Sequence, residues 1–241
     1  MEAMIFAAGL GTRLRPLTDN KPKALITIGN TTLLDINIKK LITFGCKRIV
    51  INVHHFAEMI INYIKTKNYD AEILISDESS MLLDTGGGLL NARPLFSQQE
   101  NIILHNADII SDLNFNLLEQ QHIAKNDTIA TLAVSKRQTT RMLLFNRDMQ
   151  LSGWRNEATN EEIITNQTDI LTALGFSGIS IVSPAIFDML YGTATFSITN
   201  QYLEISKKHS IKGFVHNADR WLDVGKPSAL SVAEKLYSQL L

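Results

Sequence analysis

The chain has 241 residues, 45% of them hydrophobic, with 23 basic and 24 acidic side chains and a net charge of −1. That length suits one large domain or two small ones, with a core that needs no staples. The charge balance excludes whole-surface affinity for nucleic acid or an anionic membrane, and the single cysteine, Cys46, excludes an intramolecular disulfide or a cysteine-built zinc site.

The first half alternates strands and helices. Ala3–Ala8 is a short apolar run ending at Gly9 and predicts a buried strand. Thr32 with Asp35 resembles a capping box, and Leu33, Leu34, Ile36, Ile38, Leu41 and Ile42 keep roughly helical spacing up to Gly45, a C-cap residue. Arg48–Val53 predicts a strand, 56–67 a helix, Glu72–Ser76 a strand, and Ile102–Ala107 a strand ending at Asp108. This rhythm implies a mostly parallel sheet with helices on both faces and ligands at the carboxyl ends of the strands. The second half has short, closely spaced strands at Thr128–Ser135, Met142–Asn146, Leu151–Trp154 and Ala173–Val182, as in an antiparallel addition. Helices are expected near Pro184–Tyr191 and Thr199–His209, and from Pro227 to about Gln239. The whole reads as one α/β domain whose second half folds over the first. No apolar run reaches the ~20 residues of a membrane span. The basic residues at the start follow the apolar run, unlike a signal peptide. A cytoplasmic protein is expected, as monomer or homo-oligomer, with neither nucleic acid nor membrane as partner.

Residues 9–25, GLGTRLRPLTDNKPKAL, carry the strongest signal. Four basic side chains (Arg13, Arg15, Lys21, Lys23) face one acid, Asp19, at the carboxyl end of a strand. Gly9 and Gly11 let backbone approach a ligand and turn N–H groups toward it. Arg13 can hold phosphate oxygens bidentately and Lys23 offers a compact point charge. The string is neither a Walker A loop nor a dinucleotide G-x-G-x-x-G, because no Lys-Ser/Thr pair follows and Leu14 occupies the third glycine's place.

The full string resembles the signature of the sugar-1-phosphate nucleotidyltransferases, or NDP-sugar pyrophosphorylases. Gly9, Gly11, Thr12, Arg13, Leu14, Pro16, Leu17, Thr18, Lys21, Pro22, Lys23 and Leu25 all match it. The resemblance implies a Rossmann-like three-layer α/β fold, with a mixed, mostly parallel central sheet and no C-terminal β-helix. It implies a nucleoside triphosphate and a sugar 1-phosphate as substrates. Arg13 and Lys23 take the catalytic roles, Arg13 on the triphosphate and Lys23 among the reacting phosphates. Residues 1–112 are then the nucleotide half and 113–241 the sugar-phosphate half.

Asp108, after the strand IILHNA, and Asp223, in WLDVGK, are hard oxygen ligands suited to Mg²⁺. The resemblance implies that both hold the ion, although the family's usual N-G-D is here Asn106-Ala107-Asp108. Asp84–Leu89 (DTGGGL), followed by a short helix, is by itself either a flexible turn or a backbone wall against a flat ring. The family places this stretch against the base and its sugar, which assigns Gly86 and Gly87 there, with Ala8 and Gly9 on the other side. Asn106 either bonds a sugar hydroxyl or caps the strand turn. Gly178, in the FSGI strand, would let an acceptor sugar approach, or is a β-bulge glycine. The family's F-x-E-K-P is replaced by Trp154-Arg155-Asn156-Glu157-Ala158. Glu157 remains an acceptor-side candidate, while the lysine is lost and Arg155 is the nearest replacement charge. Adjacent His54 and His55 read as packing or loop residues, and His105 as a satisfied core histidine.

Within the family, the DTGGGL, WLDVG and FSGI strings resemble the N-acetylmuramate-1-phosphate uridylyltransferases of bacterial cell-wall recycling. The alternatives are mannose-1-phosphate or heptose-1-phosphate guanylyltransferases, or a non-catalytic nucleotide-sugar sensor on the same fold. A nucleotide-sugar-dependent glycosyltransferase would want a D-x-D-like motif, which NADIISD at 106–112 lacks.

Overall fold

The computed structural model describes residues 1–168, 170–192 and 195–239. Its first half runs β1 (Glu2–Phe6), the pair β2 (Thr27–Ile28) and β3 (Thr31–Thr32), α1 (Leu33–Phe44), β4 (Arg48–Val53), α2 (Ala57–Lys65), β5 (Glu72–Asp77), α3 (Asp84–Ala92), β6 (Ile102–Asn106) and β7 (Ile109–Ser111). The second half adds α4 (Phe115–Ile123), β8 (Thr128–Ser135), β9 (Arg141–Phe145), β10 (Leu151–Asn156), β11 (Glu161–Ile164), β12 (Thr172–Val182), α5 (Ile198–Ser206), β13 (Ser210–Val215), β14 (Trp221–Asp223) and α6 (Leu230–Ser238).

β6, β1, β4 and β5 lie side by side and parallel. The sheet turns mixed at β12, which runs antiparallel to β6 through Ile179–Val182 and antiparallel to β8 on its other edge. The start of β12 pairs with β9, which continues through β10 to β11. β13 joins β8 in parallel. The second half thus extends the same sheet beyond β6.

Alternation along each strand feeds two cores. One face of β1 carries Ala3 and Ile5 against Leu34, Ile38 and Leu41 of α1 and Leu118 of α4. The other carries Met4 against Leu89 of α3 and Tyr202 of α5. Helices therefore cover both faces, giving three layers. Thr32 caps α1 by accepting the Asp35 N–H at 3.1 Å, and Gly45 closes it in the left-handed region at φ 109°.

Some elements differ from the sequence reading. Pro184–Asp188 is a 3₁₀ turn and not an α-helix. The three glycines of DTGGGL lie inside α3 and do not precede it. α4, β13 and the short β7 and β14 carry too little periodic pattern to be foreseen. β7 and β14 form a separate two-stranded ladder, which brings Asp223 from the far end of the chain to the start of β7.

Candidate active site

The chain leaves β1 at the carboxyl edge of the parallel strands, where open α/β sheets bind ligands. There it forms one wall of a cleft of about 550 Å³, to which Ala8, Gly9, Gly11, Thr12 and Arg13 contribute. That volume is typical of small-molecule sites. Gly11 has φ +65°, and a Cβ on it would lie 3.1 Å from Thr18 Cγ2 and 3.2 Å from Lys23 Cβ. Its carbonyl accepts from Leu14 N–H at 2.9 Å and from the Thr18 hydroxyl at 2.8 Å. The turn therefore folds the loop back onto the stem of Lys23. Leu14 is fully buried with Ile26, Val224 and Leu236, the last from α6. Apolar anchors fix the loop while its polar side chains stay in the cleft.

Two carboxylates meet the loop. The backbone at Ala107 donates to the Phe6 carbonyl at 3.1 Å, setting the turn into Asp108 beside β1. The antiparallel β7–β14 ladder puts Asp223 opposite Ile109, and Val224 N–H donates to the Asp108 carbonyl at 2.9 Å. Lys23 Nζ contacts Asp108 Oδ2 and stands 3.8 Å from Asp223 Oδ1, while Arg13 Nη2 is 3.8 Å from Asp223 Oδ2. Lys23 and Asp108 are only 14% and 20% exposed, so their charges act in a medium poorer in water than the surface. Asp223 Oδ1 is buried and has no hydrogen-bond partner among the described residues. Burial raises the Asp223 pKa, the neighbouring Asp108 adds to this, and Lys23 and Arg13 oppose it. A Cβ at Gly225 would come within 2.7 Å of Asp223 Oδ1 and 2.8 Å of Arg13 Nη2, so a side chain there would displace the ends of both.

On the opposite wall, Asn106 and the start of DTGGGL stand where the sequence placed them, but Asn52 and Glu78 were not foreseen. Asn52 accepts from Ala7 N–H at 2.8 Å and donates to Glu78 Oε1 at 2.7 Å. Glu78 also accepts from Leu83 N–H at 3.2 Å, and burial raises its pKa. Asn52, Glu78, Asp84, Thr85 and Asn106 all line the cleft. For the unforeseen pair, the available signal was a polar residue, Asn52, inside the apolar run RIVINV.

The Nucleotidyl transferase family matches residues 2–142, more than half of the chain. The chain belongs to this family. A nucleotidyl transferase relative from Neisseria meningitidis, N-acetylmuramate alpha-1-phosphate uridylyltransferase, is 28% identical over 98% of both chains. An enzyme of the same name from Caulobacter vibrioides is 39% identical over 99 residues, 40% of this chain and 41% of its own. The mannose-1-phosphate guanylyltransferase catalytic subunit beta of Drosophila melanogaster is 25% identical over 98% of this chain. The chain spans only 62% of that relative's length. Among solved structures, HddC from Yersinia pseudotuberculosis, complexed with GMP-PN, aligns with a TM-score of 0.75 at 21% identity over 98% of this chain and 99% of its own. The inositol-1-phosphate CTP transferase from T. maritima aligns at 0.78 and 17% identity, over 99% and 95%. These two establish the fold.

Other expected site residues fall elsewhere in this nucleotidyl transferase. Gly86 and Gly87 point their amides at the Phe196 carbonyl, at 2.9 and 3.2 Å, and lie outside the cleft lining. The adjoining wall is formed by Asp84 and Thr85 instead. Gly178 has φ +71° at a bulge in β12, and the Asn106 carboxamide fills the space its Cβ would occupy. It seats Asn106 instead of lying open to a sugar. Glu157 is exposed just beyond β10, outside the cleft lining. Arg155 is paired with Glu162 through two bonds of 2.7 and 2.8 Å and lies outside the cleft lining. His54 bonds the Glu78 carbonyl at 2.6 Å and His55 packs on Phe56, as loop residues do. His105 is buried but half satisfied: Nδ1 meets the Asn106 carbonyl at 2.8 Å, and Nε2 has no partner among the described residues.

The donor set fits a hard divalent cation. Asp108 and Asp223 converge, and the buried, unpartnered Asp223 Oδ1 is an acceptor awaiting a partner. Among the described residues no group of three or more His, Cys, Asp or Glu side chains joins there. That pattern suits Mg²⁺, which typically takes one or two carboxylates and completes its shell with water and phosphate oxygens. No described helix is long and apolar enough to cross a membrane.

Proposed function

We propose that the cleft transfers a nucleotidyl group from a nucleoside triphosphate to a sugar 1-phosphate and releases pyrophosphate. The observation that carries this reading is Lys23 set against Asp108 and Asp223 at the mouth of the glycine-rich loop. An oxygen of the acceptor phosphate forms a bond to the α-phosphorus. The bond from that phosphorus to the α–β bridging oxygen breaks, and pyrophosphate leaves with the electron pair. No proton need move, so the protein's work is alignment and charge neutralisation. Arg13 grips the triphosphate, and the loop's backbone N–H groups hold it. Lys23, screened from solvent by the fold of the loop, neutralises charge at the α-phosphate. Asp108 and Asp223 would hold Mg²⁺, which supplies further charge neutralisation on the phosphates.

Residues 1–112 hold the nucleotide on this reading, and residues 113–241 supply the acceptor side together with Asp223. The nucleotide is UTP and the acceptor N-acetylmuramate 1-phosphate. The Neisseria relative, matched along nearly its whole length, favours that pair. Guanylyl transfer to mannose 1-phosphate is the second reading, favoured by the fly relative. The test is pyrophosphate release from purified protein and Mg²⁺, with each of five nucleoside triphosphates against a panel of sugar 1-phosphates. Fastest turnover with UTP and N-acetylmuramate 1-phosphate is expected. GTP with mannose 1-phosphate as the best pair would establish the second reading. Release from no pair, with a nucleotide sugar still bound, would leave a sensor.

A further inference from the structure

Among the described residues, one guanidinium near the site, that of Arg137, forms no ion pair. Arg137 follows β8 and lies across β12, where a Cβ on Gly175 would come within 2.9 Å of its Nε and 3.0 Å of its Cγ. The bare backbone of Gly175 is the floor of its cradle. The Trp221 ring covers it, with the guanidinium carbon 4.5 Å from the ring centroid. Trp221 is itself pinned by its indole N–H, which donates to the Ser177 carbonyl at 2.8 Å. Of Arg137's five N–H groups, one on Nη2 donates to the Phe176 carbonyl at 2.7 Å. Its buried Nε has no partner among the described residues, and none of their carboxylates lies within 4 Å. Burial lowers its pKa, and the charge of Asp223 is what opposes this.

The ladder fixes where this cation stands. Trp221 and Asp223 are two apart on β14, so their side chains leave the same face, roughly 7 Å apart. Arg137, stacked on Trp221, therefore shares that face with the Asp223 carboxylate. A planar, stacked fork with unspent donors is built for a tetrahedral oxyanion. Arg13 and the glycine loop already account for the triphosphate on the other flank of Asp223.

We infer that Arg137, held on Trp221, binds the phosphate of the acceptor and delivers it beside Asp223. This rests on the nucleotidyl-transfer reading. It supplies the charge that the missing lysine of F-x-E-K-P leaves vacant, from a different strand. Trp221 acts as a positioning residue that keeps the fork flat.

The test uses Arg137→Ala and Arg137→Lys with the substrate pair that turns over fastest. KM for the sugar 1-phosphate should rise at least tenfold in Arg137→Ala, with KM for the nucleotide within twofold of wild type. Arg137→Lys should recover part of the loss. Trp221 also reports directly, so its fluorescence should respond to α-D-glucose 1-phosphate in the wild type and not in Arg137→Ala. Trp221→Phe removes that signal and identifies its source, because Trp154 is the only other tryptophan. Arg155→Ala, which breaks only exposed pairs with Glu162 and Glu157 outside the cleft lining, should leave acceptor KM unchanged. An acceptor KM unchanged in both Arg137 variants would overturn the inference, as would equal rises in both KM values with an unaltered melting temperature. Should Arg137→Ala not fold, the Arg137→Lys kinetics decide. Should no pair turn over at all, the transfer reading fails alone. The glucose 1-phosphate titration of wild type against Arg137→Lys then judges Arg137, and identical curves would overturn it.

Discussion

Gly86→Ala separates two accounts of the DTGGGL segment. In one, its glycines face the nucleotide base; in the other, they exist so that α3 can pack. A Cβ at Gly86 would lie 2.4 and 2.5 Å from two ring carbons of Phe196 and 2.9 Å from its carbonyl oxygen. Phe196 cannot yield easily, because its carbonyl holds the Gly86 and Gly87 amides and its ring packs against the core that contains Met4, Leu89 and Tyr202. Overpacking of this kind costs about 1–3 kcal/mol. Displacement of the Phe196 carbonyl would weaken its bond from the Gly86 N–H, adding up to about 1 kcal/mol. Alanine returns about 1 kcal/mol through helix propensity. The net is a loss of up to about 3 kcal/mol, or a fall in Tm of up to roughly 10 °C for a chain of this size. Thermal and urea melts read this directly, and nucleotide KM is measured on the same preparation. Gly9→Ala is the control: nothing lies within 4 Å of its Cβ and its φ is not left-handed, so stability should hold. An unchanged Tm for Gly86→Ala, with a selective rise in nucleotide KM, would refute the packing account.

Lys23→Ala should lose turnover by an amount worth about 2.7–4 kcal/mol, as for other single groups that stabilise charge in a transition state. Its melting temperature should not fall in proportion; a wild-type rate would remove Lys23 from the chemistry. Asp108→Asn should abolish Mg²⁺-dependent turnover, checked by titrating the metal against pyrophosphate release. The buried histidines predict acid sensitivity. Burial pushes His105 down to about 3 and His122 to about 4, from an ordinary 6.5. The unfolded chain therefore takes up these protons first, and stability, complete above pH 6.5, falls as pH drops from there toward 3. Each histidine contributes a slope of at most ~1.4 kcal/mol per pH unit. Urea midpoints at pH 7 and pH 5 should differ less in His105→Leu than in wild type; an equal difference would contradict the assignment. Thr32→Ala should cost about 1 kcal/mol by removing the cap of α1, read from the same melts.

The strands that sequence located well are those buried on both faces. Arg48–Val53 and Thr128–Ser135 end where expected, because a continuous apolar run admits little else in a sheet core. Elements whose pattern is set by tertiary contact were the ones missed. α4 offers only Phe115, Leu118 and His122 as buried positions, too few to reveal a helical period. DTGGGL reads by composition as a flexible turn or a backbone wall and not as helix, since glycine disfavours a helix by about 1 kcal/mol per residue. Gly86 and Gly88 stand inside the helix because Phe196 and Glu78 occupy the volume that side chains there would need. Local propensity yields to packing that only the folded chain supplies.

The site divides along the same line. The loop at 9–25 was legible because its chemistry is contiguous: glycines, arginine and lysine must act within one turn of backbone. Asp108 and Asp223 lie 115 residues apart in sequence, and physical reasoning alone would not pair them. What joins them is a ladder of three residues per strand, too short to have a pattern, with Val224 bonded to the Asp108 carbonyl. The same ladder puts Trp221 on the face of Asp223, and so draws Arg137 from the end of β8 toward the carboxylates. Arg155 shows the converse. It sits at the position where sequence would seek the missing charge, yet its neighbour across the β10–β11 pair is Glu162, which neutralises it. A basic residue paired with acids of the site itself, as Lys23 is with Asp108 and Asp223, stays beside the substrate, whereas one paired outside the cleft is held away from it. In this fold Arg155 meets an acid within a hairpin, and Arg137 meets an aromatic ring and a carbonyl. A double-mutant cycle of Arg137→Lys and Trp221→Phe should therefore show coupling in acceptor KM, whereas Arg155→Ala with Trp221→Phe should be additive. Coupling in the second pair and none in the first would place the acceptor's phosphate on β10 after all.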